Sequence, residues 1–453
     1  MINKKLILNS LLVLLSILAL LWPAIYNGFP LVYSDTGSYI HSGFNSLVPI
    51  DRPIFYGLFV RHTSLAHSLW FVIISQAIVV WFVLFMAIRI INKVYPFTLT
   101  LLGVITLSLT TGVSNYTSQI MPDIFSAIVI LGFTTLALSK EYKILDYILL
   151  LIVILSITLH LSNLIIVIGL GIICLILMIL KFISFKKTPL LIFCILFPFL
   201  IIYGTNYSLT GKAKLSKASN VFIVARMIET GVVKDFLNEN CNNDTYIFCN
   251  KIDQLPSSSV GFIWNDDSPL FDEECRSVNW TYCWEEKNEE LGKLSLDIIK
   301  NPKYRNKLIS RYSIDFFQQL IDFDIGVLTP QTKNSTSYRL IDEKIHNDLY
   351  SYTQSKQYGK VLKFKILSII QYITVILSLL IVVILLLIKR NKTLIQYLSL
   401  ILFGIIGNAL TVTVLSTILD RYQSRIIWLI PFVCFLIVIS YFNSNEIKTT
   451  ANK

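Results

Sequence analysis

Long apolar runs separated by short polar connections dominate the pattern along the chain. A helix needs roughly 20 apolar residues to cross the hydrocarbon core of a bilayer, and several runs are close to the lower limit. A helix satisfies its own backbone hydrogen bonds, which lipid cannot do, and the runs are continuous rather than alternating, so we expect transmembrane helices. The pattern predicts about ten of them, over residues 6–24, 69–91, 97–113, 124–138, 145–159, 163–181, 189–205, 361–388, 395–416 and 425–442.

One large polar segment interrupts this pattern between the seventh and eighth helices. The chain is therefore predicted to be an all-α polytopic membrane protein in three parts. These are an N-terminal transmembrane module (residues 1–205), an external, mostly α domain (206–360) and a C-terminal transmembrane module (361–453). Within the external domain, we expect one amphipathic helix over residues 219–240 and one or two helices over 288–325, broken near Asn301-Pro302.

The first polar connection, residues 25–68, contains a shorter amphipathic stretch. Pro53 suits the first turn of a helix, and apolar side chains from Ile54 to Phe59 form one stripe. We expect residues 53–67 to form a helix that lies along the membrane surface.

Composition and charge fit a membrane protein and indicate its topology. The 453 residues are 54% hydrophobic and 15% charged. The net charge of +11 does not indicate a nucleic-acid partner, because the excess lies in short clusters between apolar runs, where it sets topology. The clusters fall on alternate connections, which predicts that these connections and both termini are cytoplasmic: Lys4/Lys5, Arg89/Lys93, Lys140/Lys143, Lys181/Lys186/Lys187, Lys389/Arg390/Lys392 and Lys448.

The remaining connections are then external. They cover residues 25–68, 114–123, 160–162, 206–360 and 417–424. No small-residue cleavage site follows the first helix, so we interpret that helix as an uncleaved anchor. No outer-membrane or organelle signal is visible, and we expect the protein in the bacterial inner (cytoplasmic) membrane.

Four of the seven cysteines lie in the one large polar segment. An even number of clustered cysteines indicates two disulfides and an oxidising compartment, with connectivity left open. Free thiols are the alternative, and metal binding is disfavoured because no CxxC pair is present. The four are Cys241, Cys249, Cys275 and Cys283.

Two acidic residues on the external face are the candidate catalytic groups. Asp35 lies in Tyr33-Ser34-Asp35-Thr36-Gly37, about ten residues after the first helix, and is predicted to be a general base or an acceptor-positioning carboxylate. Asp123 begins the fourth helix and could be a second acid. Together they could hold Mg²⁺ or Mn²⁺, which need few protein oxygens. The alternatives are a helix N-cap for Asp35 and a carboxylate that favours the helix dipole for Asp123.

Arginines at the external end of a helix go against the usual charge bias and are candidate phosphate ligands. Arg421, Tyr422 and Arg425 lie in the last external loop, and a pair of guanidinium groups suits bidentate phosphate binding. Arg52 is a weaker candidate of the same kind. The alternatives are contact with lipid headgroups and an ion pair to Asp420.

Four further residues are candidate substrate contacts, each with a plain structural alternative. His41 lies in the first external loop, and His160 lies at a tight turn, where polar residues are normal. Arg226 could simply pair with Glu229 three residues later. Asp266 lies in an aromatic-rich segment that could be an ordinary capped turn.

Taken together, these residues resemble the GT-C superfamily of integral-membrane glycosyltransferases, including the protein O-mannosyltransferases and the bacterial lipid A aminoarabinose transferases. In that family the first helix leads into an external loop with an acidic motif, an Arg/Pro-aromatic segment and a surface helix. The loop is matched here by Asp35 and Arg52-Pro53-Ile54-Phe55-Tyr56. The family's second acidic position resembles Asp123, and its Arg-Tyr pair before a late helix resembles Arg421-Tyr422.

The chain departs from the family pattern at two points. The first acidic motif is often a pair of adjacent acids, whereas Ser34 precedes Asp35 here. The external domain also lies between helices seven and eight rather than at the C-terminus, as in oligosaccharyltransferases. The first departure puts a metal requirement in question.

The resemblance implies transfer of a sugar from a polyprenyl-phosphate-linked donor to a lipid, glycan or protein acceptor at the external face, with inversion. Asp35 would take the acceptor proton, and Arg421, Arg425 and Arg52 would stabilise the departing phosphate. The alternatives from other classes are a polytopic transporter or flippase, and a non-catalytic assembly factor for cell-surface glycans.

Overall fold

Helices supply all regular secondary structure in the computed structural model, which describes residues 4–139, 143–184, 186, 188–241, 245–388 and 391–451. The first part of the chain forms α1 (Lys4–Leu20), α2 (Trp22–Asn27), α3 (Thr36–Asn45), α4 (Phe55–Ser64), α5 (Trp70–Ile91), α6 (Pro96–Thr110), α7 (Val113–Thr117), α8 (Asp123–Leu138), α9 (Ile144–Thr158), α10 (Leu161–Ile179) and α11 (Thr188–Thr210).

The polar segment and the last part of the chain complete the series. The polar segment forms α12 (Ser219–Glu229), α13 (Val232–Asn240), α14 (Ser259–Trp264), α15 (Glu273–Val278), α16 (Trp280–Lys300), α17 (Pro302–Ile321), α18 (Thr336–Lys344) and α19 (Leu349–Thr353), with 3₁₀ turns at Cys249–Gln254 and His346–Asp348. The last part forms α20 (Lys365–Ile388), α21 (Lys392–Leu415), α22 (Asp420–Ile427) and α23 (Leu429–Ala451).

Six stretches within the described residues are long and apolar enough to cross a membrane. They are α5, α10, α11, α20, α21 and the combined stretch Asp420–Phe442, while α6, α8 and α9 are shorter apolar helices. These features are those of an all-α polytopic membrane protein. Ten spans, and the side of the membrane that each connection faces, stay predictions. Lys140, Lys187, Lys389 and Arg390, which entered the topology prediction, lie outside the described residues.

Several helix boundaries differ from the prediction for local reasons. The expected helix over residues 219–240 is wrong, because Gly231, at φ +77°, separates α12 from α13. The loop expected over residues 417–424 is wrong in its second half, because α22 begins at Asp420. The break near Asn301-Pro302 is confirmed: the Asn301 side chain accepts a hydrogen bond from the Lys303 N–H at 3.0 Å and caps α17.

The predicted external domain divides into two parts in the structure. Residues from Ala218 to Leu308 build their own apolar core, in which Trp284 and Phe262 are fully buried. Disulfides close two short loops of this part, Cys241–Cys249 and Cys275–Cys283. Apolar residues from Tyr338 to Tyr352, together with Phe323, instead join the main helical core, and Ile325 and Leu328 belong to a third, smaller cluster. The domain boundaries stay predictions.

The hairpin of α3 and α4 is held by a close backbone approach. A Cβ added to Gly43 would lie 1.9 Å from the carbonyl oxygen of Gly57, so neither position has room for a side chain. The buried face of α4 contains Tyr56, Gly57 and Val60. The helix expected at the membrane surface is therefore held by protein along one face, and it positions the loop that carries Asp35.

We expect Gly43→Ala to lower stability, because the methyl group would force α3 and α4 apart. Overpacking typically costs about 1–3 kcal/mol, whereas Ala in a helix otherwise gains up to about 1 kcal/mol over Gly. Gly204→Ala in α11 is the matched control, since nothing lies within 4 Å of its added Cβ. Thermal unfolding of the purified variants measures the effect. Equal melting temperatures for the two variants would contradict the close approach.

Candidate functional site

Asp35 lies at the start of α3, but its side chain does not cap the helix. The turn is closed by Thr36, whose Oγ1 accepts from the Tyr33 N–H at 2.9 Å and donates to the Ile120 carbonyl at 3.1 Å. Asp35 has no capping hydrogen bond, and its side chain is 29% exposed. The Asp35 carboxylate therefore does not act as a helix N-cap, and this structural alternative is wrong.

Two guanidinium groups flank the Asp35 carboxylate. Arg52 Nη1 lies 3.7 Å from Asp35 Oδ1, and Arg421 Nη2 lies 3.9 Å from Asp35 Oδ2. Arg52 also donates to Asp51 Oδ2 from Nε and Nη2, at 2.9 and 2.7 Å. Burial opposes the charge of Arg52, but the neighbouring groups, Asp51 first and then Tyr39 and Asp35, together outweigh it and hold the pKa of Arg52 well above its ordinary value. Arg52 is thus held as a cation beside Asp35.

Aromatic rings complete the surroundings of these cations. The Arg52 guanidinium lies 5.2 Å from the centroid of the Tyr39 ring, and that of Arg421 lies 4.2 Å from the centroid of the Tyr33 ring. Burial raises the pKa of both phenols, while the neighbouring arginine opposes the rise in each case. Both tyrosines are therefore neutral near pH 7 and add no negative charge to the cluster.

Arg421 and Arg425 are four residues apart on α22, so they lie on one face of the helix. Their roles differ. Arg425 donates from Nη1 to Asp123 Oδ1 at 2.9 Å and from Nη2 to Asn408 Oδ1 at 3.1 Å. Arg425 and Asp123 are almost fully buried, at 1% and 2% exposed. Arg425 is therefore engaged by protein groups, and Asp123 is its counter-ion.

Arg421 retains donors that no described residue accepts. Its Nε and Nη1 are buried without a hydrogen-bond partner, as are Arg425 Nε and Asp123 Oδ2. The Tyr422 ring lies beside both arginines, with its centroid 5.0 and 5.1 Å from the two guanidinium carbons. The structural alternative of an ion pair to Asp420 does not describe these arginines, because Arg421 pairs with Asp35 and Arg425 with Asp123. An oxyanion is the ligand class that these N–H groups suit best.

The other sequence candidates have their own partners. His160 caps α10, and its Nδ1 accepts from the Ser162 N–H at 3.2 Å. His41 is exposed and contacts Asn45, with 2.9 Å between His41 Nδ1 and Asn45 Nδ2. Among the described residues, neither histidine makes a hydrogen bond or ion pair with the carboxylates or arginines of the cluster.

Arg226 and Asp266 have partners or positions outside the cluster. The Arg226 guanidinium pairs with Glu229 at 3.0 Å, as the structural alternative predicts, and also with Asp315. Its Nε donates to the Thr413 carbonyl at 2.8 Å, so it joins the polar segment to α21. Asp266 is exposed in the turn after α14.

Ser337 is a site residue that sequence reasoning missed. Its Oγ accepts from the Gly37 N–H at 2.8 Å and lies 2.9 Å from the carbonyl oxygens of Tyr33 and Ser34, to which it donates. It thereby fixes the backbone on both sides of Asp35. A Cβ on Gly37 would lie 2.7 Å from the Ser337 nitrogen, so Gly37 was the one available sign of a close neighbour.

The residues of the cluster do not fit a divalent cation well. Each candidate carboxylate faces arginines, and three guanidinium groups would repel a metal placed between them. No group of three or more His, Cys, Asp or Glu side chains that could hold a metal occurs among the residues described. We therefore assign no step to a metal ion.

Comparisons with known proteins do not assign the chain to a family. No protein-family model, no curated protein and no solved structure matches it. The class of protein that the structure defines is the all-α membrane protein, and its chemistry has to be argued from the cluster.

We expect Arg425→Met to destabilise the protein strongly, because Asp123 would remain buried without its counter-ion. Removing one partner of a buried ion pair typically costs about 3–5 kcal/mol. The double variant Arg425→Met/Asp123→Asn should recover part of this loss, since the unpaired charge is gone. Unfolding free energies of the two single variants and the double variant form the thermodynamic cycle. A single variant as stable as the parent would contradict the pairing.

Proposed function

We propose that the protein is a glycosyltransferase that moves a sugar from a polyprenyl-phosphate-linked donor to an acceptor hydroxyl at the external membrane face. The observation that carries the proposal is one guanidinium group with two roles. Arg421 contacts Asp35 on one side and has two further nitrogens, Nε and Nη1, without an acceptor among the described residues. The proposed base, Asp35, thus lies beside the proposed phosphate ligand, Arg421, at the end of a membrane-helix candidate.

The chemical step follows from this arrangement. The acceptor oxygen attacks the anomeric carbon and passes its proton to an Asp35 carboxylate oxygen. The bond between that carbon and the phosphate oxygen breaks, and its electron pair leaves with the lipid phosphate. Arg421 donates to that phosphate, where negative charge builds in the transition state. Single displacement inverts the anomeric configuration.

The other cluster residues prepare these two groups. Arg52, fixed by Asp51, orients the Asp35 carboxylate. Arg425 and Asp123 hold α22 against α8, which places Arg421. Ser337 holds the backbone around Asp35. This division differs from the sequence-based expectation, in which Arg425 was a phosphate ligand and Asp123 a second catalytic acid.

Asp35→Asn is expected to abolish sugar release from the donor, because an amide cannot accept the proton. General base catalysis typically contributes about 10²–10⁴-fold. The assay incubates purified protein in nanodiscs with a panel of radiolabelled polyprenyl-phosphate sugars and follows release of label from the lipid. Asp266→Asn is the matched control, since that exposed carboxylate lies outside the cluster and its variant should retain full activity.

The outcomes of this assay separate the proposal from its rivals. Release that depends on Asp35 establishes a glycosyltransferase and names the sugar. Full activity in Asp35→Asn would remove the base from the proposal. A folded protein that consumes no donor, but moves one across a liposome membrane without acceptor, is a transporter or flippase instead. A folded protein that does neither is a non-catalytic assembly factor.

Arg421→Gln is expected to slow sugar transfer without lowering the stability of the fold, because the Arg421 N–H groups donate to the phosphate of the donor and not to protein groups. Loss of one such donor typically costs about 10²–10³-fold in kcat. Single-turnover rates with the donor identified above measure the effect. If Arg421→Gln loses no more rate than Arg52→Gln and binds the donor as tightly as the parent, Arg421 only orients Asp35 and does not bind the phosphate.

A further inference from the structure

The second half of α17 has an apolar face that no described residue covers. Ile314, Phe317 and Ile321 are 60%, 65% and 66% exposed. Their spacing of three and four residues places them on one side of the helix. An exposed apolar face of this kind marks a surface of interaction.

This half of α17 is tied to the end of a membrane-helix candidate. Asp315 pairs with Arg226, which in turn donates to the carbonyl of Thr413, two residues before the end of α21. Gln319 Nε2 donates to the Leu419 carbonyl at 3.1 Å, in the connection between α21 and α22. The apolar face therefore lies beside the end of the helical bundle and not far out on the polar segment.

The chain after α17 runs alongside the first turns of α20. The Phe323 N–H donates to Tyr372 Oη at 2.9 Å, and the Ile325 N–H donates to Ser368 Oγ at 3.1 Å. Ser368 and Tyr372 follow the start of α20 by three and seven residues, which corresponds to about 5–10 Å along the helix axis. Residues 323–325 thus lie beside the first turns of α20.

Exposed apolar side chains also occur near the start of α20. Ile366, Ile369 and Ile373 are 76%, 52% and 53% exposed. Side chains with this exposure on a membrane-spanning helix face lipid, because lipid is the only apolar solvent available. We expect the same solvent to reach the second half of α17, because contacts hold it beside the end of α21.

Two exposed arginines precede the apolar face of α17, as is expected of a helix that crosses from water into the membrane interface. Arg311 is exposed one turn before Ile314 on the same face, and Arg305 is exposed two turns further back. Cations next to an apolar stripe are typical of helices that enter the interface, since they can reach lipid phosphates.

We propose that the second half of α17 is inserted into the lipid bilayer, with Ile314, Phe317 and Ile321 against acyl chains and Arg311 at the level of the headgroups. The polar segment is then anchored in the membrane through its own helix as well as through its connections to α11 and α20. This inference is independent of the proposed sugar transfer, because it rests on a surface away from the Asp35 cluster.

Spin-label accessibility tests the proposal in the full-length protein. Single cysteines replace Phe317 and Ile321 and, as the control on the same helix, Arg305. The native Cys174, Cys194 and Cys434 are buried, and the unsubstituted protein gives the background labelling. Collision of each label with oxygen, which concentrates in lipid, and with a water-soluble nickel chelate is measured in nanodiscs of phosphatidylethanolamine and phosphatidylglycerol.

We expect severalfold higher oxygen than nickel accessibility at Phe317→Cys and Ile321→Cys, and the reverse at Arg305→Cys. High nickel accessibility at the first two positions would place the face in water and overturn the proposal. Low accessibility to both reagents would mean that protein covers it, such as a second copy of this chain, and would overturn it equally. Ile314→Cys gives the same reading if one variant does not fold, since truncating an exposed side chain costs little.

Discussion

The structure depends on the requirement that charges removed from water be paired. Three carboxylates and three guanidinium groups meet around the loop before α3, namely Asp35, Asp51, Asp123, Arg52, Arg421 and Arg425. Their formal charges cancel, which makes burial at the end of a helical bundle tolerable. The pairing also fixes geometry, because Arg425 reaches Asp123 only if α22 lies against α8, and Arg421 reaches Asp35 only if α22 lies near the start of α3. The same requirement that stabilises the bundle therefore assembles the site.

The three arginines of the cluster differ in how many of their N–H groups are bound by other protein groups. Arg425 is held by Asp123 and Asn408, and Arg52 by Asp51. Arg421 instead contacts Asp35 and two tyrosine rings, and its Nε and Nη1 have no hydrogen-bond acceptor among the described residues. In the proposed reaction the negative charge on Asp35 is neutralised as the phosphate becomes more negative. Arg421 lies between these two positions, so the charge moves around one fixed cation, and little reorganisation of the protein is needed.

Sequence reasoning anticipated the helical architecture and several members of the cluster but not how they are shared. Apolar run length located the long helices, and the turn chemistry of Asn301-Pro302 located a break, because both depend on local physics. The break between α12 and α13 at Gly231 was not predicted, since a single glycine within an amphipathic pattern does not by itself end a helix. The pairing of Arg425 with Asp123 and the contact of Ser337 with Gly37 join residues 302 and 300 positions apart, which no local pattern reveals. The choice among three nearby arginines is decided by which carboxylate each one meets.

The long sequence separation of these contacts has a consequence for biosynthesis. The loop that carries Asp35 leaves the ribosome among the first segments, yet Ser337 and Arg421 are made only after most of the chain has been inserted into the membrane. Until then Asp35 has Arg52 from its own loop but not Arg421, and Asp123 lacks Arg425. The site closes as the last helices join the bundle, so a truncated product that lacks α22 would carry the complete acidic loop in an unassembled form. Completion of the chain, rather than any local folding event, is what first brings Asp35 and Arg421 together.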